Sequence, residues 1–388
     1  HTAVSVSDAA RPLGTVSTGS LKEIASNLKF ASQRGLVERF DATIGAGSVL
    51  MPFGGKNQAT PTQAMAAKLP VLPGEVTDQA SLFAWGCDPD LLTADPYMGA
   101  QASIVSSVAK IVAAGADYKK VYLTLQEFFE KLRNEPARWG KPFQALLGAL
   151  EAQLGLNAAA IGGKDSMSGT FLDKDVPPTL ISFAIAPIKA SEVLTPEFKE
   201  AGHPVYLFAP VDETAESVKE TWETFHTLCT EGKVKAAWAV ENGLAEAVMK
   251  MSFGNDIGFT YAPTFPVSNL FGYNYGAFVL EMTDATLAGD ILGVTTDSGV
   301  SYRGEELCLH CLTKAYEDKL ESVYPCNIEM PEEKVPTFSA PAVERVPSIL
   351  RCDRPKALIP VFPGTNCEYD TAKALARAGA DPEIIVIK

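Results

Sequence analysis

Lys164, Asp165 and Ser166 follow two glycines in the stretch Ile161-Gly162-Gly163-Lys164-Asp165-Ser166-Met167-Ser168-Gly169-Thr170-Phe171. These residue types suit a phosphate. Paired glycines let the backbone approach a ligand and turn its amide hydrogens outward. A lysine adds a point charge, a serine hydroxyl can bond another phosphate oxygen, and an aspartate can face a metal or a ribose. The spacing is not that of the phosphate loop of nucleotide hydrolases, which needs four residues between its glycines and then Gly-Lys-Ser/Thr. The plainer reading is a strand-end turn whose polar residues are solvated. Gly45-Ala46-Gly47 and Met51-Pro52-Phe53-Gly54-Gly55-Lys56-Asn57-Gln58 are two glycine-rich turns in close succession, either a second ligand loop or a linker. Cys308 and Cys311 form a Cys-x-x-Cys around His310. Zinc would need a second ligand pair, which is missing, and Glu306 to Leu312 alternates as a strand does.

The elements that must hold these residues follow from hydrophobic period. Before the first glycine pair, Phe143 to Leu154 has apolar residues at helical spacing and stops at Gly155; after it, Leu180 to Ile185 reads as a buried strand between prolines. A polar loop is therefore expected between core elements. Upstream, Leu21 to Arg34 reads as a helix ending at Gly35, and Ala64 to Val71 as a short apolar segment. Asp95-Pro96-Tyr97 opens the longest helix, with Asp95 where an N-cap belongs and Gly115 near its end. Leu123 to Leu132 is expected to be helical. Downstream, strands are expected over 204–210, 234–240, 257–261 and 276–282, and helices over 214–229 and 244–251. Residues 325–356 carry prolines and charges without period and read as a linker. Ala357 to Phe362, Glu368 to Ala380 and Glu383 to Ile387 form one β-turn-α-β unit, the beginning of a doubly wound fold. A lone unit of that kind cannot cover both faces of its sheet, so the chain is expected to be cut short, by cloning, or completed elsewhere.

With 388 residues, two or three domains with real cores are expected. A formal net charge of −14 argues against nonspecific nucleic-acid binding, which needs a basic face. The seven cysteines are scattered, with no apolar run of membrane-spanning length and no signal peptide. Reduced thiols, a cytoplasmic setting and no membrane partner are therefore expected.

Three stretches in order resemble one family: Leu36-Val37-Glu38-Arg39-Phe40-Asp41 with Pro52-Phe53-Gly54-Gly55-Lys56; Ile161-Gly162-Gly163-Lys164-Asp165-Ser166-Met167; and Val361-Phe362-Pro363-Gly364-Thr365-Asn366-Cys367-Glu368-Tyr369-Asp370. Together they resemble the later part of phosphoribosylformylglycinamidine (FGAM) synthase, the purine-pathway amidotransferase, in its long single-chain form. The resemblance implies an α/β (α+β) chain. A lead-in would occupy residues 1–60 and an aminoimidazole ribonucleotide synthetase-like N-type domain 61–188. A C-type domain would span 189–325, a linker 326–356 and the truncated start of a class I glutaminase domain 357–388.

The implied reaction converts formylglycinamide ribonucleotide, ATP and glutamine to formylglycinamidine ribonucleotide, ADP, phosphate and glutamate. ATP activates the amide oxygen, and ammonia from the glutaminase displaces the phosphate. The resemblance assigns Asp95, Gly162, Gly163 and Lys164 to nucleotide and Ser166 to the ribonucleotide substrate. It gives this chain no catalytic residue and no metal ligand, and ATP/ADP and magnesium belong to the full enzyme. The partners implied are the missing first synthase half and the remainder of the glutaminase, so the chain alone is expected to be inactive. Cys367 lies in the first turn of the last domain and is not the glutaminase nucleophile. In short forms of the family an asparagine that helps hold magnesium falls at the position of Lys164, and a lysine cannot bind a metal. Some members hold a second, non-catalytic nucleotide with magnesium. Here Ser106, Lys110 and Val240-Glu241-Asn242-Gly243 replace its oxygen ligands, so that cluster is expected to be lost. The alternative is a purely structural half that supports the active half and docks the glutaminase.

Overall fold

A computed structural model describes residues 3–6, 20–40, 42, 47–72, 74–266, 270–285, 290–302, 304–326, 328, 334, 336–342 and 352–387. Gly45 and Ala46, most of residues 1–19 and about half of the expected linker lie outside them. The chain divides into two units, 1–328 and 329–388.

The first unit begins with two short helices, α1 (Leu21–Ser26) and α2 (Arg34–Val37). The single helix expected over this region is broken after Ser26. The Ser26 hydroxyl turns back to the Lys22 and Glu23 carbonyls, and Asn27 is extended and accepts from the Lys29 amide. Next come β1 (Ser48–Leu50), a small hairpin of β2 (Phe53–Gly54) and β3 (Thr60–Pro61), β4 (Met65–Lys68) and β5 (Gln79–Gly86). Helices α3 (Pro89–Ala94) and α4 (Pro96–Ala113) lead to β6 (Tyr122–Phe128), α5 (Pro136–Leu156) and β7 (Ala159–Ser166). A second small hairpin, β8 (Thr170–Phe171) and β9 (Lys174–Asp175), precedes β10 (Thr179–Lys189).

These strands build a six-stranded sheet in the order β1-β4-β5-β10-β6-β7. Its pairs are antiparallel except β6 with β7, which α5 joins in parallel. Among the described residues, helices cover only one face. Ala80, Leu82 and Ala84 of β5 and Leu180, Ala184 and Ala186 of β10 are buried in one core with Ile104, Val108 and Ile111 of α4. Small residues let the layers approach: Ser107 and Ser182 are hydrogen-bonded at 2.9 Å between helix and sheet. A Cβ at Gly148 of α5 would meet the Tyr97 carbonyl oxygen at 2.1 Å, so only glycine fits that crossing.

The chain then forms β11 (Pro204–Phe208), α6 (Ala215–Thr230), β12 (Val234–Ala239), α7 (Leu244–Phe253), β13 (Gly258–Tyr261) and β14 (Phe278–Met282). After these come β15 (Asp290–Thr296), β16 (Val300–Tyr302), β17 (Glu305–Leu307) and α8 (Leu309–Asp318). The seven strands order as β12-β14-β11-β15-β13-β16-β17. One face, with Tyr206, Ala237, Phe278 and Leu280, shares the core of α4 and α6; the other, with Val205, Trp238 and Val279, packs on α1, α7 and α8. Trp222 of α6 is fully buried and donates its indole N–H to the Gly276 carbonyl at 2.9 Å.

In the second unit, β18 (Lys356–Val361) and β19 (Asp381–Val386) pair in parallel, with α9 (Glu368–Arg377) between them.

Three further sequence expectations need correction. Leu123 to Leu132 is not a helix: its first part is β6, inserted between β10 and β7, because its apolar residues fit a two-residue period as well as a helical one. The polar loop at Gly162-Gly163 is the extended strand β7, whose backbone pairs with β6. The alternation expected to run to Leu312 ends at Leu307, and Cys308 caps α8.

Candidate functional site

Asp95 is an N-cap, as its position ahead of Pro96 implies. Its Oδ1 accepts from the Tyr97 and Met98 amides at 3.0 and 3.2 Å, and the side chain is buried at the start of α4. Gly162, Gly163, Lys164 and Ser166 lie together on β7, the edge strand of the first sheet, where the two glycines and Lys164 are exposed. The two glycines have no positive φ and form no nest of outward amides. Lys164 Nζ reaches only the Asp165 carbonyl, at 3.2 Å, and the Ser166 hydroxyl shares a hydrogen bond of 2.8 Å with Ser168. The edge strand thus offers a cation and hydroxyls to whatever approaches it, and Asp95 sits apart on another element.

Sequence reasoning missed the neighbour of this strand. Glu127 on β6 lies beside Asp165 on β7 and is 1% exposed, with neither carboxylate oxygen hydrogen-bonded. Burial, and then the charge of Asp165, push its pKa up to about 7. An acidic residue in a stretch read as a helix gave no signal. Placing Glu127 in a strand with alternating burial exposes the anomaly.

A cavity of about 1460 Å³ opens at the other end of the sheet, between β4, β5 and the loops around Lys29, Glu241 and Tyr275. None of the five residues assigned by resemblance lines it. Three of its four lysines, Lys29, Lys110 and Lys250, are already committed. Lys29 bonds Asp88 at 3.2 Å, Asp90 at 3.0 Å and the Tyr273 hydroxyl at 3.2 Å. Burial would lower the Lys29 pKa, but Asp88 and the other partners outweigh it and hold the ammonium well above the ordinary lysine value. Lys250 bonds Glu246 at 2.5 Å.

Ser106 and Lys110 converge on Glu241 in this cavity. The Ser106 hydroxyl donates to Glu241 Oε1, and Lys110 Nζ lies 3.0 Å from Oε2. The same ammonium donates to the Trp85 carbonyl at 2.9 Å and stands 4.6 Å from the centre of the Trp85 ring. Both oxygens of the one carboxylate are engaged, and a fixed cation occupies the position between helix and loop. This donor set does not fit magnesium, which needs several free oxygen ligands at short range. Among the described residues no group of three or more His, Cys, Asp or Glu side chains could hold a metal.

The second glycine turn is structural. The Lys56 amide donates to the Asn255 side chain and the Asn57 amide to the Gly254 carbonyl, at 2.9 and 2.8 Å. Gly55 has φ +82°, and a Cβ there would meet Gly254 at 2.3 Å. The turn clamps the β2–β3 hairpin to the end of α7.

The order of these two sheets and the helices between them define a PurL-like, aminoimidazole ribonucleotide synthetase-like α/β fold. Comparison with known proteins agrees, and the resemblance to FGAM synthase seen in the motifs is upheld. The sequence is 23% identical over 262 residues to the PurL subunit of phosphoribosylformylglycinamidine synthase from Picrophilus torridus, covering 62% of this chain and 34% of that protein. Thermotoga maritima PurL complexed with FGAR superposes with a TM-score of 0.55 at 12% identity, covering 84% of this chain and 57% of that one. PurL from the same organism complexed with ADP gives 0.54 at 17% identity, covering 76% and 45%. No family model matches the chain. The chain therefore spans about a third of the curated relative. Among the described residues no helix is long and apolar enough to cross a membrane.

Proposed function

We propose that this chain is the second synthase half of an FGAM synthase, followed by the start of its glutaminase domain. The whole enzyme would convert formylglycinamide ribonucleotide to formylglycinamidine ribonucleotide with ATP, magnesium and glutamine. The observation that carries this reading is the asymmetry of the first sheet: its β7 edge presents Gly162, Gly163, Lys164 and Ser166, and its uncovered face presents Phe83, Trp85, Phe183 and Ile185. A face of that kind suits burial against the missing synthase half, since the chain covers only 57% of the PurL chain solved with FGAR. Lys164 would then offer its ammonium to phosphate oxygens of nucleotide, Ser166 its hydroxyl to the ribonucleotide, and Asp95 would hold the α4 terminus near the nucleotide. The domain limits that go with this reading are 61–188 and 189–325 for the two synthase-like domains, with the glutaminase beginning at 357. The chain alone would be inactive.

The Lys110–Glu241 pair supports a second reading, in which this half is purely structural. Lys164→Ala in the intact enzyme separates the two. Loss of one good transition-state contact lowers turnover about tenfold or more with the thermal midpoint unchanged. Turnover within about twofold of wild type would leave β7 as sheet edge only, and the structural reading would stand.

A further inference from the structure

Cys308 and Cys311 are the N-cap and third residue of α8, a ten-residue helix. The Cys311 amide donates to Cys308 Sγ at 3.2 Å. Both side chains are exposed, while Leu309 and Leu312 between and beside them are buried and fix the turn on α1 and α7. The pair has no role in the synthase reading, and among the described residues no further ligand joins it to make a metal site.

We propose that Cys308 and Cys311 are a reversible dithiol–disulfide site, with Cys308 as the attacking sulfur and Cys311 as the resolving one. Spacing and position carry the inference: cap and third residue bring two sulfurs onto the same side of one turn, and helix amides face the first of them. The roles divide accordingly. The hydrogen bond from Cys311, then the amides of Cys311 and His310, hold the Cys308 thiol below its ordinary value. Its bond to Cys308, burial and the Cys308 charge hold Cys311 above it, against the nearby Lys22.

The oxidant is a low-molecular-weight disulfide. The Cys308 thiolate attacks one sulfur of that disulfide, whose S–S bond breaks and whose other half leaves as a thiolate. Cys311 gives its proton to the departing thiolate and attacks the Cys308 sulfur, and the second half leaves as thiolate and is protonated by solvent. The protein's two thiols are oxidised to one disulfide as the small disulfide is reduced to two thiols.

The test equilibrates the full chain with glutathione buffers from reducing to oxidising, quenches in acid, alkylates and digests with trypsin. Both cysteines fall in one tryptic peptide, residues 304–314, which contains no other cysteine. The proposal requires this peptide to become lighter by two hydrogens and free of alkyl groups, reversibly with dithiothreitol. In the Cys311→Ser chain, Cys308 should instead stop at a glutathione adduct and be alkylated with a pH midpoint below about 8.5, the ordinary thiol value. The proposal fails if the peptide keeps two alkyl groups, or carries glutathione on both cysteines, in the most oxidising buffer. It fails equally if the Cys308 midpoint lies at or above the ordinary value.

Discussion

The two sheets of the first unit are finished to different degrees. The seven-stranded sheet is covered on both faces, so β14 is buried at every position and β12 at all but one. The six-stranded sheet has helices on one face and, on the other, Phe83 stacked on Phe183 at 5.5 Å beside Trp85 and Tyr122, both 54% exposed. The difference shows where the stability of the chain resides and where it has surface to offer. One sheet is a completed core, and the other is half of a core with an unpaired parallel edge, a feature that folded proteins normally cover or protect.

This contrast can be broken by mutation. Trp222→Ala removes a fully buried indole and its hydrogen bond from between the two sheets, and should cost about 3–5 kcal/mol in urea unfolding. In the same experiment Phe183→Ser on the open face should cost about 1 kcal/mol or less, mostly the stacked pair. Equal losses would mean the open face is as integral to the chain as the core.

Glu241→Ala tests the lock at the cavity. It leaves the Lys110 ammonium, 7% exposed, without its carboxylate, while Glu241 itself is partly open to solvent. A loss of about 2–3 kcal/mol is expected. No measurable loss would make the pair a solvated contact rather than a filled site.

Glu127→Gln should act with the opposite sign. The folded state holds a proton on Glu127 up to about pH 7, whereas the unfolded chain releases it near the ordinary value. Folding therefore binds protons in that window, and stability falls as pH rises through it. The glutamine, which mimics the neutral acid, should match wild type near pH 5 and exceed it by about 1–2 kcal/mol at pH 8. A glutamine variant less stable than wild type at pH 8 would show that a charged Glu127 is required.

The second sheet was the more legible of the two. Strands β11 to β14, helices α6 and α7 and the β18–α9–β19 run follow the hydrophobic period closely, because each element has a well-defined buried side. Asp95 was legible as a cap from Pro96 alone. In the first sheet only β10 was legible as a strand, over Leu180 to Ile185. The strand β5 went unread because its outward residues include Phe83 and Trp85, which erase the polar half of a two-residue alternation. Gly162-Gly163 reads as a turn in any local view; only the long-range pairing with β6 makes it a strand. That Ser106, Lys110 and Glu241 do not make a magnesium ligand set was visible as residue types. That the three close on one another depends on packing between α4 and the loop after β12, which the sequence does not display.

The central claim is that the chain holds no nucleotide at the position closed by Lys110 and Glu241. Calorimetric titration of the chain with magnesium and ATP tests it most directly. The account predicts no binding tighter than about 100 µM, roughly 5.5 kcal/mol. Binding tighter than that, abolished by a bulky substitution of Asn242 in the cavity wall, would contradict it and make the chain nucleotide-binding in its own right.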